Sequence, residues 1–300
     1  MFNKILVCLD GSPSALAAAR AGASLASQHN AEILGLNVFD PAFAGTPEIA
    51  AWAIAIDQNL IERRARDEKS AIERATAPIF CALDTPHRVI QEAGHPVETI
   101  LRVADREKVD LIIVGSRGMR GIREVFLGSV SSAVMHHALC PVLIVHGTYV
   151  PTGVKAFQHI VLASDGSIRA QKAAAVAIDV AQKFATSLTV LNVTVDPAPP
   201  GVPGEQDPLI VDIDADLYAR RMLELVRVNV GIEAKDTGVP CSYVQKGGHP
   251  YESIVRFVEE RDPDLLVLGS RGLGGFQQML VGSVSNYVAH HVSCPILVVH

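Results

Sequence analysis

Val114-Gly115-Ser116-Arg117-Gly118, nine residues, then Gly128-Ser129-Val130-Ser131 is written a second time as Leu268-Gly269-Ser270-Arg271-Gly272, nine residues, then Gly282-Ser283-Val284-Ser285. Each copy begins where an apolar, strand-like run ends and finishes where a helical pattern starts. Glycines at a strand end followed by a hydroxyl at a helix N-terminus build a cradle of backbone N–H groups suited to phosphate. The competing reading is that these glycines only turn a loop. Taken with its repetition, the phrase describes two copies of a nucleotide-binding module.

The repeat extends outward from this phrase. Ile5-Leu6-Val7-Cys8-Leu9-Asp10-Gly11-Ser12 answers Ile160-Val161-Leu162-Ala163-Ser164-Asp165-Gly166-Ser167, and Gly94-His95-Pro96 answers Gly248-His249-Pro250. Val109-Asp110-Leu111 answers Pro263-Asp264-Leu265, and the tails from His136 to His146 and from His290 to His300 match closely. Duplication accounts for this, with the join near Gly147–Ala156, where Pro151 and Gly153 break the periodicity. Two domains follow, 1–148 and 155–300.

Within each copy, short apolar runs alternate with helical patterns. In the first copy the pattern predicts strands at 4–9, near 32–38, near 87–93, at 111–115 and at 142–146. The intervening helices start at Pro13, span about 48–77, start at Pro96 and run near 129–138. Five strands interleaved with four helices imply a parallel, doubly wound sheet in each copy. Ser12 is the expected N-cap with Pro13 in the first turn, and Pro96 and Pro250 fit the same first-turn position. The second copy also carries Asp196-Pro197-Ala198-Pro199-Pro200-Gly201 through Pro208, read as an irregular surface loop.

Composition narrows the function classes. Of 300 residues, 49% are hydrophobic and only 5% aromatic, which fits Ala/Val/Leu/Ile packing in an α/β fold rather than an aromatic-rich sandwich. The formal charge is -6, and in neither copy do Lys and Arg outnumber Asp and Glu, so nucleic acid and anionic membrane are poor partners. Five cysteines without a C-x-x-C spacing suggest free thiols in a reducing compartment. No apolar run approaches the roughly 18–20 residues that span a bilayer, and Met1 leads directly into a strand pattern. The expectation is a soluble cytoplasmic protein.

In an open parallel sheet, ligands bind beyond the carboxyl ends of the strands, where the strand order reverses. With the order 3-2-1-4-5, Asp10 at the end of strand one faces the loop after Gly115, and Asp165 faces the loop after Gly269. Asp-Gly-Ser is also a turn signal, so either aspartate can be read as a helix-start residue. A strand-one Asp, Gly-x2-Gly-x9-Gly-Ser, a helix and a Cys-Pro-led final strand resemble the universal stress protein family in its tandem form. That resemblance covers nearly the whole chain, twice. It implies two doubly wound, five-stranded Rossmann-like sheets of the adenine nucleotide alpha hydrolase type, forming a pseudo-dimer within one chain.

The resemblance also implies a ligand, ATP with Mg²⁺ as its companion. In the ATP-binding branch the strand-one Asp contacts the adenine side, while the glycines and the serine hold phosphates. This assigns Asp10, Gly115, Gly118, Gly128 and Ser129 to one site and Asp165, Gly269, Gly272, Gly282 and Ser283 to the other. Wall and hydroxyl contacts come from Val38, Val114, Val130 and Ser131, matched by Val193, Leu268, Val284 and Ser285. The spacers differ, Met119-Arg120-Gly121-Ile122-Arg123-Glu124 against Leu273-Gly274-Gly275-Phe276-Gln277-Gln278, leaving the second site less charged. Arg117 and Arg271 are read either as reaching a terminal phosphate or as solvated loop residues.

Other signals carry less. His136, His137 and Cys140, mirrored by His290, His291 and Cys294, suggest zinc, but adjacent helical residues point about 100° apart, so one histidine per helix faces any site. His95 and His249 precede proline at helix starts near the expected ligand side and are read either as cap-region residues or as pocket lining. The lysine of a P-loop, the G-x-S-x-G elbow and H-E-x-x-H are all absent from the sequence. The sites therefore look built to hold nucleotide, as a stress-response sensor or regulator with a protein partner and a homodimeric state. The alternatives are a slow ATPase or nucleotidyl-transferring enzyme, and a nucleotide-free interaction scaffold.

Overall fold

The computed structural model describes residues 1–40, 58–82, 86–117, 127–147, 149, 156–195, 215–272 and 281–300. Expectations that fall elsewhere lie outside the described residues: the first part of the 48–77 helix, Gly118, both spacers, the join around Pro151 and Gly153, and the proline-rich stretch from Asp196. The chain divides into two compact units, Met1–Ala156 with Ser293–Val298, and Phe157–Val292 with Val299–His300.

The first unit runs β1 (Lys4–Cys8), α1 (Pro13–His29), β2 (Glu32–Phe39), α2 (Gln58–Cys81), β3 (His87–Ala93), α3 (Pro96–Glu107), β4 (Leu111–Gly115), α4 (Ser129–His137) and β5 (Val142–Val145). Its strands lie in the order β3-β2-β1-β4-β5 and pair in parallel, with Ile5 opposite both Ile33 and Leu111. Helices cover the sheet, so its central strands are apolar throughout: Ile5, Leu6, Val7, Ile112 and Ile113 are wholly buried. Residues Ile296–Val298 of β10 (Ile296–Val299) complete this unit, pairing antiparallel with Ile144–Val142 of β5. The apolar final strand thus meets a partner instead of leaving an open edge.

The second unit repeats the plan as β6 (Ile160–Ala163), α5 (Ile168–Lys183), β7 (Leu188–Thr194), α6 (Ala215–Ala234), β8 (Cys241–Gly247), α7 (Pro250–Arg261), β9 (Leu265–Gly269) and α8 (Ser283–His291). Its parallel strands lie in the order β8-β7-β6-β9. The predicted 3-2-1-4-5 arrangement is present in the first unit, and its first four strands recur in the second.

Local signals explain the helix starts. Ser12 is the N-cap of α1 and its hydroxyl accepts the Ala15 N–H at 3.1 Å; Ser167 does the same for Ala170 in α5. Helix α2 departs from expectation at its far end, continuing past Pro78 to Cys81. A helical proline gives up its own N–H bond, but here burial of Phe80, with no exposed surface, holds the last turn in place.

The duplicated Asp110 and Asp264 sit at the amino edge, opposite the crevice. Asp110 accepts the N–H groups of Asn3 and Lys4 at 2.7 and 3.0 Å, and Asp264 accepts those of Gln158 and His159, both at 2.9 Å. Each carboxylate ties the start of a repeat to its fourth strand. Asp110→Ala is expected to cost about 1–2 kcal/mol, the scale of charge-assisted backbone hydrogen bonds at a partly solvated site. Urea denaturation measures it; an unchanged midpoint would show the clamp to be energetically idle.

Candidate functional site

In the second unit, β6 ends at Ala163 and the chain turns through Ser164-Asp165-Gly166-Ser167. Gly166 adopts φ +76°, and Asp165 Oδ1 accepts the Ser167 N–H at 3.0 Å, so the helix-start turn read from Asp-Gly-Ser is real. The other side of the same carboxylate faces the glycine loop: a Cβ on Gly272 would run into Asp165 Oδ2. Turn and loop are thereby brought together by one side chain.

The loop is tied down at both ends. The Gly282 N–H donates to the Ser270 carbonyl at 2.6 Å, and the Ser285 hydroxyl donates to the Gly269 carbonyl at 2.7 Å. Gly269 meets a second demand besides access to a ligand. A Cβ there would lie 3.2 Å from the Arg169 carbonyl carbon and oxygen, so the glycine lets the start of α5 rest on the end of β9. Helix α8 begins directly after Gly282, which has no side chain to cap it. Its first backbone N–H groups and its dipole point at whatever occupies the space in front.

That space is a cavity of about 460 Å³, within the range of small-molecule sites. Asp165, Val193, Leu268, Gly269, Gly272, Gly282, Ser283, Val284 and Ser285 all line it. So do residues the sequence reading passed over: Tyr218 and Met222 from α6, and Pro250 and Ile254 from α7. Tyr218 and Met222 stand one helical turn apart, and nothing in their sequence pattern separates them from core-facing helix residues. The wall between them and the strands includes Asn192, whose amide donates to the Ser164 carbonyl at 2.9 Å and whose oxygen accepts from Gln245 at 3.0 Å.

The first unit makes the corresponding turn and loop bonds. Asp10 Oδ1 accepts the Ser12 N–H at 2.9 Å, with Gly11 at φ +79°. Gly128 N–H donates to Ser116 O at 2.7 Å, and the Ser131 hydroxyl lies 3.1 Å from Ser116 O and 3.0 Å from Gly128 O. The hydroxyls of Ser12 and Ser14 both donate to the Arg117 carbonyl, docking the start of the loop on α1. Val114 is buried, Val38 and Val130 are half-buried, and Ser129 is exposed at the first turn of α4. Gly118 lies outside the described residues.

The demoted signals have structural explanations. His95 and His249 occupy the N-cap positions of α3 and α7 without a side-chain cap bond. His136 Nδ1 donates to Ser132 O at 2.8 Å and His291 Nδ1 to Tyr287 O at 2.7 Å, each committed to its own helix. Among the described residues, no group of three His, Cys, Asp or Glu side chains is placed to hold a metal ion. None of the five cysteines forms a disulfide; burial, with Asp10 adding, pushes the Cys8 thiol far up, and burial pushes Cys140 up to about 11, which keeps both protonated. Among the described residues no helix is long and apolar enough to cross a membrane.

The fold defines a duplicated doubly wound α/β protein, with a cavity at the carboxyl edge of the second unit's sheet. The family model described as the Universal stress protein family matches residues 1–146 and again 156–300, and the chain belongs to that family in its tandem form. A universal stress protein of Mycolicibacterium smegmatis is 29% identical over 297 residues, covering 98% of this chain and 96% of its own length. One from Bacillus subtilis, 35% identical over 147 residues, covers 48% of this chain and 99% of itself, as a single-domain relative would. The crystal structure of a universal stress protein from Archaeoglobus fulgidus superposes with a TM-score of 0.70 at 24% identity, over 100% of this chain and 98% of that one, and so shares the fold.

Proposed function

We propose that the chain holds an adenine nucleotide, ATP with Mg²⁺, in each repeat, between the strand-one aspartate and the glycine loop, and that it acts as a cytoplasmic stress sensor. The observation carrying this reading is the second unit's cavity, where an acidic side chain, a glycine loop and an uncapped helix N-terminus share one wall. A carboxylate suits the ribose or the amine of a base, and a helix N-terminus suits phosphate. Mg²⁺ would be held chiefly by the phosphate oxygens, where it would neutralise their charge. Occupancy would be read by a regulatory protein partner or by a second copy of this chain, with residues 1–148 and 155–300 as the two binding halves.

Mass spectrometry of small molecules released from the purified, denatured protein tests this, together with a titration by Mg-ATP. About two ATP per chain is the expected capacity. Asp165→Ala is expected to weaken one of the two sites by about tenfold, the value of one charge-assisted hydrogen bond. Release of no nucleotide, combined with no binding at millimolar ATP, would leave an interaction scaffold instead.

A further inference from the structure

Duplication makes each repeat a control for the other, and the site walls are not alike. Gln91 Nε2 donates to the Ala65 carbonyl of α2 at 2.8 Å, and Gln245 Nε2 donates to the Ala219 carbonyl of α6 at 2.7 Å. Each of these glutamines also donates to the oxygen of the buried asparagine on its neighbouring strand, Asn37 or Asn192. The two bonded frames place Ala65 in register with Ala219. Three residues along each helix, Glu68 of α2 therefore stands where α6 has Met222; one residue back, Arg64 stands where α6 has Tyr218.

Met222 lines the cavity of the second unit, as does Asn192. In the first unit the Asn37 amide donates to Glu68 Oε1 at 2.9 Å, so this carboxylate is held against the counterpart of a cavity-lining residue. Asn37 has no exposed surface and Glu68 is half-buried, so the pair is fixed in place rather than waving in solvent. A carboxylate has two oxygens and about four acceptor sites, of which this bond uses one.

Building on the nucleotide-binding reading, we propose that the residue at position 68 or 222 sets the base preference of each repeat. The second repeat takes adenine by apolar contact with Met222 and the Tyr218 ring. The first still admits ATP at saturating concentration, so the capacity of two stands, but it prefers a base whose edge offers adjacent N–H donors to Glu68, as guanine does with its ring N–H and exocyclic amine. Adenine sets an acceptor nitrogen beside its amine, which a carboxylate repels. A polar wall rejects a ligand lacking the matching donors far more strongly than an apolar wall rejects a ligand that has them. The two sites are thus expected to answer different nucleotide pools.

The test is a titration of the full chain with Mg-ATP and Mg-GTP, with hydrogen exchange read separately on peptides from α2 and α6. ATP should protect α6 at lower concentration than GTP does, and GTP should protect α2 at lower concentration than ATP does. Met222→Glu should move the α6 preference toward GTP by about tenfold, and Glu68→Met should move the α2 preference toward ATP by a similar factor. Met222→Leu, which restores an apolar wall, should keep the adenine preference. If the swaps change ATP and GTP affinity equally, or change neither, the specificity assignment falls while nucleotide binding stands. If neither nucleotide protects either helix in the wild-type chain, both fall together.

Discussion

Lowering the pH from 7 to about 4 is expected to remove about 3 kcal/mol of folding free energy through His146 alone. His146 follows β5 at the carboxyl edge of the first unit, with its Nε2 buried and without a hydrogen-bond partner among the described residues. Burial, and secondarily the Arg117 charge, lower its pKa from the ordinary 6.5 to about 4. Between those two values the unfolded chain takes up a proton that the folded chain refuses, so stability falls as pH falls through that window. Above 6.5 both states are neutral and the full stability is present; below about 4 both are charged and this loss has run its course. The carboxylates act elsewhere on the scale. Glu92 and Glu107 have depressed pKa values despite some desolvation, because arginines donate to them, and their contributions disappear only below the ordinary 4.5.

Denaturant titrations at about pH 7, 6, 5, 4.5 and 4, on wild type and on His146→Leu, separate these effects. The variant should show a much flatter pH dependence between 6.5 and 4.5 while keeping the steeper fall below it. Parallel curves for the two proteins would mean that the imidazole is already solvated or paired in the native state.

Much of the architecture is legible in the sequence. Apolar runs of strand length alternating with helical patterns were enough for a parallel, doubly wound sheet, because strands buried on both faces have few other sequences open to them. The serine cap at Ser12 announced its helix for a local reason, the hydroxyl meeting an N–H three residues on, and the structure shows Ser167 doing the same in the second unit. The crevice was legible too, since the end of β6 and the loop after β9 meet wherever the first and fourth strands are neighbours. Tyr218 and Met222 were not, because apolar residues on a helix look the same whether they face a core or a cavity. Only the frame of Gln245, Asn192 and Ala219 shows which way that helix is turned. His146 was equally silent. A histidine after an apolar strand gives no sign that its outer nitrogen will be buried.

The glycines of the repeated phrase show the same limit from the other side, and they yield the second large expected effect. Their sequence role was backbone access for phosphate, yet at Gly115 the structure adds a steric demand that does not depend on any ligand. A Cβ there would lie 2.7 Å from Ser14 Oγ, 2.8 Å from the Ser14 carbonyl carbon and 2.9 Å from the Ala15 nitrogen. Two of these three atoms are backbone in the first turn of α1, so no rotamer change relieves the contact and the helix start must retreat. Gly115→Ala is therefore expected to destabilise the protein by about 2–3 kcal/mol, the upper range for overpacking a well-packed contact. The retreat also loosens the Ser12 and Ser14 hydroxyls from the Arg117 carbonyl. Gly269→Ala, at the matching place, meets backbone atoms no closer than 3.2 Å, and a shift of a few tenths of an ångström accommodates it at about 1 kcal/mol or less. Denaturant midpoints of the two variants, at unchanged m-value, compare these effects directly. Because Asp10 is fixed through the Ser12 N–H at the same helix start, Gly115→Ala should also weaken the proposed nucleotide binding by the first repeat more than Gly269→Ala weakens that of the second. Equal losses of stability would mean that α1 yields as easily as α5, and that these glycines answer to the ligand alone.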